Sequence, residues 1–145
     1  MVHLEAITRE NLDAVLALRL HEEQRGFVSA PAEALAQAYV YRDTAYPFAV
    51  CDGTEVVGFI MLGYYEAKSY YTLWKLLIDR DHQRRGYGRQ ALGLGIAWLR
   101  DTFQARAVYT GVVPENAAAK ALYKSMGFRE TGVFEDGMEE LRLEC

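Results

Sequence analysis

The stretch Asp79–Leu92, DRDHQRRGYGRQAL, decides the fold. It sets four arginines, two glycines and a histidine between two apolar segments, SYYTLWKLLID (Ser69–Asp79) and GRQALGLGIAWLRDTF (Gly88–Phe103). The first is rich in Tyr, Trp, Thr and Ile and reads as a strand. In the second, Ala91, Leu92, Ile96, Leu99 and Phe103 recur at helical spacing. The loop therefore joins a strand to the first turn of a helix. There the backbone N–H groups have no intrahelical partner and the helix dipole adds partial positive charge. Gly86 and Gly88 remove side chains that would screen the backbone. Phosphate is the ligand that such a place takes, with Arg84, Arg85 and Arg89 adding side-chain charge. The alternative for the arginines is a solvated face, and it is expected to hold for at least one of them.

Outward from this loop, periodicity and turn chemistry give the order of elements. Val2–Ile7 alternates as a strand, and Thr8 is placed to cap a helix whose Leu12, Val15, Leu16 and Leu20 form an apolar stripe. HEEQRGFVSAP (His21–Pro31) is a polar connection carrying one aromatic, Phe27. Pro31 suits the start of a second helix reaching about Arg42, with Leu35, Ala38 and Tyr39 inward. Pro47–Glu66 reads as a hairpin around Asp52-Gly53. Gly93 and Gly95 weaken the helix after the loop and are expected to serve close packing on the sheet. Ala105–Val113 is a strand ended by Pro114, and Glu115–Gly127 is a helix closed by Gly127. Phe128–Glu144 is a second hairpin, around Asp136-Gly137. The order β α α β β β α β α β β mixes hairpins with strand–helix–strand connections. It predicts an α/β fold, a mixed sheet with helices on its faces.

The 145 residues fit one domain, 1–145, with no repeat, low-complexity tract or Gly/Ser/Pro-rich linker to divide them. Hydrophobic residues make up 51% and charged ones 25%, the balance of an ordinary globular protein that needs no staple to hold its core. A net charge of −4 argues against nucleic-acid binding and suits a cationic partner better. Cys51 and Cys145 have no CxxC or Cys/His spacing around them, so neither a zinc site nor a disulfide framework is expected. A reduced, cytoplasmic setting is the default expectation. MVHLEAITRE lacks a basic n-region before an apolar core, so no signal peptide is expected, and no apolar run is long enough for a membrane span.

Two phosphate-binding readings compete for the loop. GYGRQA (Gly86–Ala91) fits the dinucleotide pattern G-x-G-x-x-A. That pattern belongs after a first strand, with an acidic residue closing the next one. Here several elements come before it, and the next strand runs into TGVVPE with Glu115 beyond the proline. The dinucleotide fit is poor, and no P-loop Lys-Ser/Thr follows. The other reading is a resemblance. QRRGYG (Gln83–Gly88), after a strand ending LLID, resembles the Gln/Arg-x-x-Gly-x-Gly/Ala acetyl-CoA signature of the GNAT family of N-acetyltransferases. NAAAKALYKSMGF (Asn116–Phe128) resembles that family's later segment, an Asn-led helix carrying Ala, Leu-Tyr and Gly-Phe. The two segments stand in the family's order and separation, and the element order agrees over nearly the whole chain. HEEQRGFV (His21–Val28), LLIDRDHQRRGYG (Leu76–Gly88) and PENAAAKALYKSMGFRETG (Pro114–Gly132) further resemble the bacterial diamine, or spermine/spermidine, acetyltransferases of that family.

The resemblance implies the GNAT acyl-CoA fold, acetyl-CoA as co-substrate and no metal. It implies a pantetheine arm lying along Leu76, Leu77 and Ile78 like an extra strand, with an N–H near Ile78 polarising the acetyl carbonyl. The pyrophosphate is expected on the segment Gln83, Arg84, Arg85, Gly86, Tyr87, Gly88 and Arg89, with Asn116 and Ala119 reaching the cofactor arm. Asn116 also suits a helix cap. Tyr123 is the expected acid for the departing thiolate, against the alternative of a packed aromatic among Ala119, Leu122 and Met126. Glu22 and Glu23 are candidates for the base or for counter-charges to a cationic acceptor; their alternative is ordinary exposed carboxylates. Phe27 and Trp74 are candidate walls of the acceptor pocket, against core or sheet surface. His82 is assigned to the exposed turn, and Glu135, Asp136, Glu139 and Glu140 to a solvated hairpin. The expected acceptor is a small-molecule amine, a polyamine such as spermidine or spermine, taken by direct transfer in a ternary complex without a covalent acyl-enzyme. A protein N-terminus, a lysine, an aminoglycoside, or a non-catalytic acyl-CoA-binding role stay open as alternatives. Many relatives dimerise, which makes the C-terminal strands the contact to expect in a homodimer.

Overall fold

The structure is a computed structural model that describes residues 1–145. Seven strands form one sheet: β1 (Val2–Ala6), β2 (Ala45–Asp52), β3 (Glu55–Tyr65), β4 (Tyr70–Ile78), β5 (Ala107–Val112), β6 (Arg129–Glu135) and β7 (Met138–Glu144). Four helices cover it: α1 (Leu12–Leu16), α2 (Pro31–Val40), α3 (Tyr87–Phe103) and α4 (Ala117–Ser125). The sheet order is β1-β2-β3-β4-β5-β7-β6. Every neighbouring pair is antiparallel except β4 and β5. The mixed α/β sheet and its element order are those the periodicity predicts. No helix is long and apolar enough to cross a membrane.

The parallel pair matters most for function. β4 and β5 meet only at Tyr71↔Val108 and Thr72↔Tyr109. Beyond that point the strands diverge, and the Thr110 hydroxyl spans the narrow end by donating to the Leu73 carbonyl at 3.1 Å. A bulge in the β3–β4 ladder leaves Trp74 without a partner, between Leu62↔Leu73 and Met61↔Lys75. An inserted residue reverses the facing of all that follow it. After the bulge, Leu76 therefore turns to the core under α3, while Leu77 joins the core under α1 and α2. Asp79 donates its amide to Val57 at 2.9 Å, so strand alternation turns the amides of Leu76 and Ile78 to the edge that β5 has left.

Sixteen buried residues fill the core beneath α3 and α4, and ten fill the core beneath α1 and α2. At Gly95 a Cβ would stand 3.1 Å from Ile60 Cδ1 and 3.2 Å from a Leu62 methyl. Gly95 is thus the close-packing position expected; Gly93 meets only Met126 Cε, at 3.9 Å.

Three sequence expectations need correction. Asn11, not Thr8, heads α1; its side chain accepts the Thr8 amide and donates to the Ala6 carbonyl, both at 2.9 Å. The helix is one short turn whose buried apolar residue is Val15, with Leu18 buried just after it, while Leu12 and Leu16 are exposed. The stripe assumed a longer helix than the polar connection after it permits. Tyr39 is 64% exposed, because α2 buries the face of Pro31, Ala34 and Ala38, and Tyr39 stands about 100° round the helix from Ala38.

Candidate active site

A cleft of about 760 Å³ opens where β4 and β5 part. Its floor is the β4 edge, Leu76, Leu77 and Ile78; one wall is the loop before α3, and the other is α4. Of the residues singled out in the sequence, Gln83, Arg84, Gly86, Tyr87, Gly88, Asn116, Ala119, Tyr123, Glu23 and Phe27 line it. Glu22, Trp74, Arg85 and Arg89 do not.

The loop is shaped by its backbone. Arg84 has φ +64° and Gly86 φ +82°, so two residues of the turn take the left-handed conformation. For arginine that conformation costs roughly 1 kcal/mol or more. The amides of Arg84 to Arg89 donate to no backbone carbonyl; the first helical bond runs from Gln90 to Gly86, at 3.1 Å. A row of free donors at a helix N-terminus fits a pyrophosphate. Gly88 is held close, since a Cβ there would lie 3.6 Å from Leu122 and 3.8 Å from Ile78.

The side chains of this loop mostly brace it. Gln83 and Gln24 exchange amide hydrogen bonds at 2.9 and 3.1 Å, and Gln83 also donates to the Ile78 carbonyl at 3.0 Å. The end of β4, the loop and the Glu22–Gln24 turn are thereby tied together. The Tyr87 hydroxyl donates to Asp52 at 2.6 Å, which raises the phenol's pKa and lowers that of Asp52. Arg89 donates to Ser125 at 2.8 Å, linking α3 to α4. Asp79 accepts from the Arg19 amide at 2.9 Å and the Asp81 amide at 3.2 Å, and lies 3.2 Å from His82 Nδ1. Burial alone would raise its pKa; these donors outweigh burial and hold it below the usual carboxylate value.

On the far wall, Asn116 caps α4 by accepting the Ala119 amide at 3.3 Å. Tyr123 is 8% exposed, with its ring centre 5.7 Å from that of Phe128. Burial pushes its phenol up to about 12, and neighbouring Thr110 only partly offsets this. The phenol is therefore a proton donor throughout the neutral range.

The sequence missed Leu20, His21, Gln24, Val28, Arg80, Ala118 and Leu122 as lining residues and placed His82 outside the site, although it lines the cleft. The Asn-led helix pattern could have given Ala118 and Leu122; no local pattern marks the others. Trp74 is the bulge residue, and its ring packs against Tyr41, 5.9 Å away, over the α2 side of the sheet.

Residues 12–128, which carry the parted parallel pair, the free-amide loop and the Asn-capped helix, match the model of the acetyltransferase (GNAT) family. The chain belongs to that family. It is an acetyl-CoA-dependent N-acetyltransferase. A spermine/spermidine N(1)-acetyltransferase of Bacillus subtilis is 24% identical over 151 residues, covering 98% of this chain and 97% of that one. A ribosomal protein bS18-alanine N-acetyltransferase of Salmonella typhimurium is 43% identical over 65 residues, 43% of this chain and 41% of its own. Among solved structures, the spermidine N-acetyltransferase of Vibrio cholerae in complex with CoA and spermine has a TM-score of 0.74 at 20% identity, covering 97% of this chain and 92% of that one. An acetyltransferase from Thermus thermophilus also has a TM-score of 0.74, at 24% identity, covering 100% and 97%.

Proposed function

We propose that this N-acetyltransferase acts on a small polyamine such as spermidine or spermine, by direct transfer in a ternary complex. The observation that carries the reading is a second, smaller cleft of about 100 Å³, lined by the β3–β4 turn, β5 and the β6–β7 hairpin. Its lining includes Glu135, Asp136, Glu139 and Glu140 against one lysine, Lys68, with Tyr65 and Tyr70 beside them. The Lys68 ammonium lies 3.0 Å from Glu135 and 3.2 Å from Glu140. Tyr70 donates to Glu140 at 3.0 Å and stacks on Tyr109 at 3.9 Å. An alkylammonium between carboxylates and tyrosine rings is what a polyamine end would need, and it would exchange with the Lys68 ammonium that now pairs with Glu135 and Glu140. The hairpin read in the sequence as merely solvated thus supports the acceptor reading better than Glu22, which lies outside the main cleft.

Thr110 lines the smaller cleft and neighbours Tyr123, which lines the larger one. The two clefts are thus linked through Thr110 and Tyr123, which supports both substrates being bound at once. Acetyl-CoA supplies the thioester. The edge at Leu76 and Ile78, whose amides have no strand partner, receives its extended arm, the Arg84–Arg89 amides its pyrophosphate, and the Ile78 N–H the acetyl oxygen as charge builds. A free primary amine, with pKa about 10, must shed a proton before it attacks, and we assign that role, through water, to Glu23, the carboxylate that lines the main cleft. Tyr123 meets the sulfur as charge develops on it.

The test is CoA release, followed with a thiol reagent, over spermidine, spermine, putrescine, lysine, an aminoglycoside and a peptide with an alanine N-terminus. Saturable turnover with polyamines, and a rise in spermidine KM without loss of kcat in Glu140→Gln, is the expected result. Turnover on the peptide alone would replace this reading with the protein N-terminal one favoured by the 43% local identity to the bS18 enzyme.

A further inference from the structure

We propose that His3, Glu5 and Cys51 form a zinc site that clips the first strand to the second. Their donor atoms lie within 4.8 Å of one another. The site follows from strand geometry. His3 and Glu5 are two apart on β1, so they share a face. Cys51 on β2 stands directly across from His3 in the register. That face is the α1 and α2 side, since Cys51 belongs to the core beneath those helices while Val2 belongs to the one beneath α3. The site is thus on the other side of the sheet from the α3–α4 core that backs the cofactor cleft.

The donor set is imidazole, carboxylate and thiolate, which suits tetrahedral Zn²⁺ with water as the fourth ligand. His3 Nε2 and Glu5 Oε2 are already 2.7 Å apart, sharing a proton that the ion would displace. Ligands on a tetrahedral zinc stand roughly 3.3–3.7 Å apart, given bonds of about 2.0–2.3 Å. His3 and Glu5, with side chains 45% and 46% exposed, are free to make that adjustment, whereas Cys51 is 2% exposed and fixed by packing. β1 is an edge strand, so the ion would join the sheet's margin to its interior.

The experiment uses the chelator-treated full chain and Co²⁺ as a spectroscopic probe, followed by displacement with Zn²⁺. One equivalent of Co²⁺ is expected to give a thiolate-to-cobalt charge-transfer band in the near ultraviolet, and Zn²⁺ to abolish it. Cys51→Ser should lose the band and Cys145→Ser should keep it. Because Cys51 is buried, His3→Ala serves as the independent variant. Its side chain is half exposed, its fold is checked by circular dichroism, and Zn²⁺ affinity should fall at least tenfold. Zn²⁺ should raise the Tm of the parent chain and leave that of His3→Ala unchanged. A parent chain without the band, a band that depends on Cys145, or unchanged Zn²⁺ affinity in His3→Ala would overturn the assignment.

Discussion

Replacing Tyr123 by phenylalanine removes one hydroxyl and little else. The ring keeps its place against Phe128, and the helix cap at Asn116 is untouched. The phenol stands at about 12, whereas an ordinary thiol has a pKa of about 8.5. Full proton transfer to a free thiolate is then uphill by about 3.5 units, or about 5 kcal/mol. In the proposed role the phenol would therefore act chiefly by donating a hydrogen bond to the sulfur as charge grows, and the proton would follow late. A hydrogen bond to a charged group contributes about 1.5–3 kcal/mol, which corresponds to a fall in kcat of about 10- to 150-fold. CoA affinity should stay within about twofold, because the sulfur of its neutral thiol is a weak acceptor. Steady-state CoA release on the best acceptor, with CoA affinity by calorimetry and Tm as controls, measures all three. Parent activity should also show no loss from Tyr123 ionisation up to pH 10. A Tyr123→Phe enzyme with kcat within threefold of the parent would refute the reasoning and leave Tyr123 as a packing residue.

Four further outcomes are expected. In Gly58→Ala the new Cβ would stand 2.5 Å from the Leu77 carbonyl oxygen and 2.7 Å from Ile78 Cδ1. Denaturant titration should show a loss of about 1–3 kcal/mol, and CoA binding should weaken with it as the β4 edge shifts. Gly86→Ala forces alanine to φ +82°, so CoA affinity should fall about 5- to 30-fold by calorimetry, while Arg89→Ala, which frees Ser125, changes it less than about threefold. Asp79 is held low when folded. Its stabilising effect is therefore present above its unfolded pKa of about 3.9 and is lost as pH falls through the lower folded value. Asp79→Asn should lower Tm at pH 7 and flatten the acid side of the Tm profile below pH 4.

The site was legible in the sequence wherever one short segment makes it. Gly86, Gly88, Asn116 and Tyr123 line the cleft from contiguous stretches, and hydrophobic period located the strand and helices that carry them. What escaped comes from pairing across distance. The bulge at Trp74 depends on a partner strand, and it decides which face Leu76 and Leu77 present. Gln24 enters through its amide exchange with Gln83, from a connection that has no periodicity to read. Glu140 looked solvated because its partners, Lys68 and Tyr70, arrive from another hairpin. The companions proposed for Cys51 stand across a register, so no spacing along the chain could have marked them.

A sheet of seven strands ordinarily has two margins. With only Tyr71↔Val108 and Thr72↔Tyr109 bridging its middle, this one has four. The two half-sheets are held together less by backbone bonds than by the side chains of β2–β4, β5 and β7 that share the core beneath α3. An unpaired strand edge normally invites another chain and with it aggregation. Here the inner edge at Leu76–Ile78 is recessed between the loop and α4, out of reach of a whole sheet yet open to one thin extended molecule. The hazard of an unfinished sheet becomes a filter for shape, and hydrogen exchange should report it. The Leu76 and Ile78 amides, central in the strand order, should exchange like those of an outer strand until the cleft is filled.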